Sequence, residues 1–431
     1  MLNNVLPLSF IVGTRFFGLF IVLPVLSLYA LKLEGANEFL VGFLVGIYAL
    51  TQMILQIPFG ILSDKIGRKK TLLIGLIIFI IGSLICSFAH DIYIMLLGRM
   101  LQGAGAIGAV ATAMISDFIT EENRGKAMAV MGSFIGLSFA ASMVISPLMS
   151  AKWGLSSLFD LSAFLSFLCI ILLYTVIPQE SKITHENKKT PFLHLIKQKN
   201  LALMNLTNCM QKMLMSIAFL SIPIILVKHL GFDAHKLWIV YTSSMIAGFI
   251  AMGFAGSLGE KRGLAKQILL LGVAFFILSY ILFAFSNSIN LFIIAVVIFF
   301  IGFNLHEPIM QSCASKLCKV HEKGAALGLF NAFGYGGSFI GGIVGGIFLH
   351  LDKLNILAII LTILAIFWLI ALFFLKNPSD FKNIYLPLDT QLNFTDFIQN
   401  IGVVDIYKNS KNLIIKFDSK VTNEEILKTK I

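Results

Sequence analysis

Long apolar runs alternate with short polar breaks along most of this chain. Twelve runs stand out, at approximately 7–31, 40–62, 71–89, 93–117, 126–150, 157–177, 201–227, 237–257, 267–286, 289–315, 325–349 and 354–375. Most reach the roughly 18 residues that a helix needs to cross a bilayer. The pattern predicts an all-α membrane protein of twelve transmembrane helices. The longest polar break, 178–200, holds Pro178, Pro191 and five lysines. It reads as a cytoplasmic linker between six-helix bundles at 1–177 and 201–376. From 384 to 431 the sequence turns soluble in character. Strands are expected at 384–388, 403–407 and 411–417, and helices at 391–400 and 422–429, the last opening at Thr422 with Glu425 three positions on. That βαββα order describes a small α+β, ferredoxin-like domain lacking its last strand.

Composition supports the pattern. The chain is 58% hydrophobic and 13% charged, with a mean hydropathy of +0.90. A soluble domain carries about 25% charge. The net charge of +11 invites a nucleic-acid reading, but the cations sort by loop. Loops after even-numbered spans hold most of the Lys and Arg, whereas those after odd-numbered spans hold Lys32, Lys152, Lys228, Lys236 and Lys353. Short basic loops stay in the cytoplasm, so both termini are expected there, in a multi-pass inner-membrane protein. The surplus charge then serves orientation and attraction to anionic lipid, not nucleic acid. The first run is too long for a signal-peptide core and carries Arg15, so it reads as an uncleaved span. The cysteines lie in or beside spans and imply no disulfide framework, and Cys313, Cys318 and His321 match no zinc spacing. No nucleophile–base pair, P-loop or metal signature points to an enzyme, a cofactor or direct ATP drive.

Polar residues inside spans are the candidate chemistry. Arg15 lies about 12 Å inside the boundary by rise per residue. It either snorkels to the headgroups or faces a cavity, paired with an acid. Gln52 and Gln56 follow in span 2. Arg99 and Gln102 in span 4 are either structural glue or part of a polar pathway. Lys212, beside Gln211, sits about 16 Å into span 7. Span 10 carries Asn304, His306, Glu307 and Pro308. Glu307 is the one carboxylate well inside an apolar run, which makes it a candidate proton carrier; a packing role beside Arg15 or Lys212 is the alternative. The 39 Phe and 16 Met suit either an adaptable apolar cavity or lipid contact.

Two breaks share one spacing. Gly60, Asp64 and Gly67 recur as Gly256, Glu260 and Gly263, each between the second and third span of its half. A repeat in corresponding positions points to a two-bundle transporter with its site between the bundles. Span 11 is dense in glycine, at 328, 334, 336, 337, 341, 342, 345 and 346, and so is expected to pack closely on a neighbour.

Gly60-x3-Asp64-x2-Gly67-Arg68-Lys69 resembles the loop 2–3 signature of the major facilitator superfamily. Gly98-Arg99-x-Leu101-Gln102-Gly103-x-Gly105-Ala106 resembles the span 4 motif of its drug:proton antiporters. Span 1 through Pro24, the stretch Tyr48 to Gly60, Ser116-Asp117 and the small C-terminal domain are similar to YajR-type transporters. The resemblance implies a latch in which Asp64 faces the start of span 11 while Arg68 pairs with Asp117, holding an outward-open state. It also implies a protonation site at Glu307. The likeness departs at span 5, where Ser146-Pro147 is followed by Leu148-Met149 instead of glycines, and at the missing last strand. The expected protein is a monomeric, proton-coupled exporter of small amphipathic molecules. Arg15, Arg99, Lys212 and Glu307 would couple protons, and Gln52, Gln56, Gln102 and His306 would line the cavity. A sugar or nucleoside transporter of the same fold is the alternative, and a membrane sensor using the C-terminal domain is a third reading.

Overall fold

The computed structural model describes residues 2–119, 121–178, 192–388, 402–408 and 412–428. Its helices track the apolar runs, with two runs broken. The first run gives α1 (Leu2–Phe20) and α2 (Leu26–Ala30). Pro24 accounts for the break, because it has no N–H and its ring crowds the carbonyl four residues back, that of Phe20. Next come α3 (Glu38–Ile66) and α4 (Arg68–Ser87). The fourth run gives α5 (Ile92–Ala104) and α6 (Gly108–Asp117), parted at Gly105–Ile107. Then follow α7 (Glu121–Trp153), α8 (Ser156–Thr175), a short α9 (Phe192–Lys197) and α10 (Lys199–Ile224). The set closes with α11 (Leu237–Gly256), α12 (Ala265–Phe285), α13 (Ile289–Lys316), α14 (Lys323–His350) and α15 (Leu354–Phe373).

Among the described residues, eleven helical segments are long and apolar enough to cross a membrane. Twelve were expected; in the first run the stretch counted is the apolar helix Val5–Phe20, which lies within the 19-residue α1. Residues 179–191 of the expected linker, and the helix expected at 391–400, lie outside the described residues. Pro147 and Pro308 stay within the unbroken helices α7 and α13.

Polar caps set the helix starts. The Asn37 side chain accepts from the Leu40 amide at 2.8 Å to open α3, and Asp91 accepts from Tyr93 and Ile94 to open α5. The same chemistry corrects the C-terminal helix, Glu424–Lys428. Its cap is Asn423, which accepts from the Ile426 amide at 2.8 Å, and not Thr422.

α14 is clamped between α3 and α10, and its glycines make this possible. A Cβ at Gly342 would lie 2.6 Å from the Gly42 carbonyl oxygen, and one at Gly341 would lie 2.5 Å from that of Met213. Asn208 of α10 also donates to the Phe330 carbonyl of α14 at 2.7 Å.

Three strands, β1 (Phe381–Pro387), β2 (Val403–Lys408) and β3 (Asn412–Asp418), form a sheet of order β1-β3-β2, with β3 antiparallel to both neighbours. Leu413, Ile415 and Phe417 on one face of β3 join Ile384, Leu386 and Leu427 in a small core. The opposite face, carrying Ile414, Lys416 and Asp418, is buried as well. Solvent does not cover it, because the sheet rests on the loops of the helical part.

Candidate functional site

α3 and α14 pack together from one end, at Gly42, as far as Met53, which a Cβ on Gly336 would meet at 3.5 Å. At the first end Gly42 and Gly46 meet Gly342 and Gly346, His350 Nδ1 lies 3.1 Å from a Glu38 carboxylate oxygen, and the Tyr241 hydroxyl donates to the Pro24 carbonyl at 3.2 Å. At the other end, a Cβ on Gly60, Gly324 or Gly328 would meet nothing within 4 Å. The seam is shut beside Gly42 and open beside Gly60.

One polar cluster lies on this seam, and a second joins α10 to α13. The first surrounds Arg15, which is only 5% exposed and therefore does not snorkel. Among the described residues it does not pair with an acid either. Its guanidinium donates to the Tyr48 hydroxyl, to Gln52 Oε1 at 3.4 Å, and to the carbonyls of Gln102 (2.6 Å) and Gly105 (3.2 Å). It also stacks on Phe79, 4.0 Å from the ring centre. The carbonyls are available because α5 stops at Ala104, leaving its last C=O groups without intrahelical donors. They also carry the negative end of the helix dipole. The break in the fourth run thus makes a cation seat.

Arg99 is fully buried behind the Tyr48 ring, 4.8 Å from its centre. Its Nη1 donates to Gln102 Oε1 at 2.8 Å, and Gln102 donates to Ser83 Oγ at 2.8 Å. Among the described residues, Arg99 Nε and Nη2 find no acceptor. Gln102 is therefore an interior brace and does not line a cavity as expected. Arg15, Phe16, Tyr48, Gln52, Ile107, Gly108 and Tyr335 line a cavity of about 10 Å³, the size of one water. Gln56 is half-buried one turn beyond Gln52, its Oε1 without a partner among the described residues.

The second cluster joins α10 to α13. Lys212 Nζ lies 3.0 and 3.2 Å from the two carboxylate oxygens of Glu307, and Gln211 Nε2 lies 3.3 Å from one of them. The Glu307 side chain is 37% exposed and faces α10, not the outside of the bundle. Of the two cations considered for Glu307, the fold selects Lys212; Arg15 belongs to the other cluster. His306, expected in the cavity, points the other way. It is buried between Phe276 and Trp368, with Nε2 2.8 Å from the Leu269 carbonyl oxygen.

At the open end, Arg68 Nε binds Asp117 Oδ2 at 3.1 Å, and Arg68 Nη1 binds Asp64 Oδ1 at 2.6 Å and the Ser63 hydroxyl. The expected Arg68–Asp117 pair is present. The expected contact of Asp64 with the start of α14 is not seen among the described residues: Asp64, 54% exposed, binds Arg68, and a Cβ on Gly324 or Gly328 would meet nothing within 4 Å. Nor does Gly60 mediate close approach here. Gly67 earns its place through backbone shape, at φ 99° and ψ 153°, which turns α3 into α4 with no linker. Its repeat counterpart Gly263 also has positive φ, 72°.

Sequence reasoning missed Tyr335 and Lys416. Tyr335 was hidden among the glycines of α14. Lys416 is the alternate residue of a strand, where solvent is the ordinary expectation. Instead its Nζ donates to the Cys318 carbonyl at 2.7 Å, while Asp405 Oδ2 accepts from the Val320 amide at 2.8 Å. Lys376 Nζ reaches Asp418 at 2.9 Å. The sheet thereby grips the loop between α13 and α14. Burial pulls the Lys416 ammonium below its ordinary pKa, and Lys323 adds to this.

The sequence profile of the Major Facilitator Superfamily matches residues 8–211 and 201–390. The chain is 33% identical over 429 residues to the inner membrane transport protein YajR of Escherichia coli, covering 96% of this chain and 94% of that one. It is 29% identical over 336 residues to the class B tetracycline resistance protein of Escherichia coli, covering 72% of this chain and 80% of the relative. Among solved structures, the nucleoside transporter NupG superposes with a TM-score of 0.70 at 14% identity, over 86% of this chain and 99% of that one.

Proposed function

The chain belongs to the major facilitator superfamily of membrane transporters, and from that membership we propose that it is a proton-coupled antiporter exporting small amphipathic molecules. In this reading twelve spans, counting the Pro24-broken first run as one, form two six-helix halves at 1–177 and 201–376. The halves rock about the seam between α3 and α14, and both termini lie in the cytoplasm. The observation that carries the reading is the one-sided seam. A seal at Gly42 and Gly346 with open space at Gly60 and Gly328 is what one limit of alternating access requires, here the inward-open one. In the opposite limit the seal opens and Asp64 moves against the start of α14, which accounts for an aspartate left exposed here. The α+β domain, read as ferredoxin-like, rides on the C-terminal half.

Glu307 is the proposed proton carrier. Neutralising it would release Lys212, and a proton drives transport only if it stabilises one orientation more than the other. The distant likeness to a tetracycline resistance protein supports efflux over uptake. The test is substrate-driven proton flux in liposomes containing Glu307→Gln. Flux should uncouple, and unchanged coupling would remove Glu307 from the mechanism. A sugar or nucleoside substrate is the second reading, which the polar lining of Tyr48, Gln52 and Tyr335 favours; transport across a compound panel separates the two.

A further inference from the structure

We propose that the seam receives its substrate through a negatively charged group, so that the transported molecules are amphipathic anions; this rests on the transporter reading above. The argument is one of unbalanced charge. Within the spans, Lys212 is answered by Glu307. Arg15 and Arg99 are answered by nothing acidic: among the described residues their partners are a phenol, two glutamine side chains and two backbone carbonyls. A buried cation without a counter-charge is costly, and more so at membrane depth. The carbonyl end of α5 offsets part of the charge on Arg15. No helix carbonyl end answers Arg99, and among the described residues its Nε and Nη2 find no acceptor. Its guanidinium lies 4.8 Å from the centre of the same Tyr48 ring whose hydroxyl Arg15 holds.

The Arg15 part of this excess faces the seam, with Arg99 buried behind it. Arg15 lines the cavity together with Tyr48 and Gln52 on α3 and Tyr335 on α14, and Phe16 and Ile107 supply apolar walls. A guanidinium beside the Tyr48 hydroxyl, with the Tyr335 phenol in the same lining, offers donors suited to a carboxylate, sulfonate or phosphate. The apolar walls suit a hydrophobic body. An anion bound there would touch both sides of the seam and neutralise the excess, whereas a cation would enter against two like charges. In this orientation the cavity holds about one water, so binding goes with a widening between α3 and α14.

The test uses the full-length protein in detergent and three probes with one ring system: naphthalene-1-sulfonate, 1-naphthol and 1-naphthylmethylammonium. Affinities are measured by calorimetry without any gradient. The sulfonate should bind at least about tenfold more tightly than the naphthol, and the ammonium most weakly. Arg15→Gln should bring the sulfonate down to the naphthol, while Arg15→Lys should keep most of the preference. Should Arg15→Gln fail to fold, Tyr335→Phe carries the test, lowering sulfonate affinity several-fold and sparing the naphthol. A sulfonate no better than the naphthol, an ammonium equal to the sulfonate, or a preference that survives both Arg15→Gln and Tyr335→Phe overturns the proposal. Proton flux unaltered by Glu307→Gln alongside an intact anion preference would sink the antiporter reading alone. Coupled flux without that preference would sink the anion proposal alone.

Discussion

Gly42 and Gly346 meet backbone to backbone. A Cβ on Gly346 would sit 2.9 Å from the Gly42 Cα and 3.0 Å from the Phe39 carbonyl oxygen, with main chain on every side and nothing flexible to yield. This contact is the seal of the seam, so a side chain there should act as a wedge.

Gly346→Val is expected to cost this orientation about 1–3 kcal/mol by overpacking, enough to shift the balance of orientations by roughly tenfold. A cysteine placed at Gly328, on the open side, reports the shift in a background without other cysteines. Its alkylation by a water-soluble reagent should slow several-fold when Gly346→Val is added. An unchanged rate would mean that the two ends do not exchange.

The two glycines of the Gly60–Gly67 turn should respond in opposite ways. Gly60 is helical with open space around it, so Gly60→Ala should leave thermal stability unchanged or raise it by up to about 1 kcal/mol. Gly67 holds φ 99° and ψ 153°, a region nearly reserved for glycine. Gly67→Ala should therefore cost about 1–3 kcal/mol. If Gly60 is needed for close approach in the other orientation, Gly60→Ala will lower transport while the melting temperature holds.

Arg68 has two acidic partners of unequal worth. The side chains of Arg68 and Asp117 are 12% and 10% exposed. Asp117→Asn should therefore destabilise by about 1–3 kcal/mol, because Arg68 Nε loses a buried acceptor while Asp64 still answers its charge. Asp64 is mostly in water, and Asp64→Asn should cost under about 1 kcal/mol in this orientation. Thermal melts of the two variants in detergent compare them directly; equal losses would contradict the burial argument.

Lys416 gives a pH dependence with a definite sign. Its pKa is lowered in the folded protein, chiefly by burial, so the unfolded chain holds the proton more tightly. Stability of the docked sheet should rise with pH, from the lowered value up to the ordinary lysine value of about 10.4. The neutral amine still donates to the Cys318 carbonyl, so deprotonation keeps that hydrogen bond. Exchange at the Val320 amide should slow on going from neutral to pH 9–10, after correction for intrinsic rates. In Lys416→Met that dependence should vanish.

Much of this protein is legible in its residues taken singly. The apolar runs announce membrane helices because transfer into a bilayer is a sum over about 20 consecutive residues. The Gly60 and Gly256 spacings announce two related halves because turns are local. The pairing of Arg68 with Asp117 was reachable only through resemblance, since 49 residues separate the partners. The partner of Glu307 was narrowed to two cations and no further, because a helix does not record which neighbour it will meet. The cavity role of His306 failed for the same reason: adjacent positions on α13 face α10 in one case and the Phe276–Trp368 aromatic pair in the other.

The amino-acid order by itself determined the membrane class, the superfamily and the presence of charge at membrane depth. Those follow from short-range chemistry: hydropathy, turn geometry and the cost of burying a guanidinium do not depend on how helices are arranged. Only the tertiary structure decided that Arg15 would rest on the carbonyls at a broken helix, that Lys212 would take Glu307, and that the seam would shut at Gly42 while leaving Asp64 in water. Each of those outcomes turns on distances of a few ångströms between segments far apart in the chain, which close packing of whole helices sets.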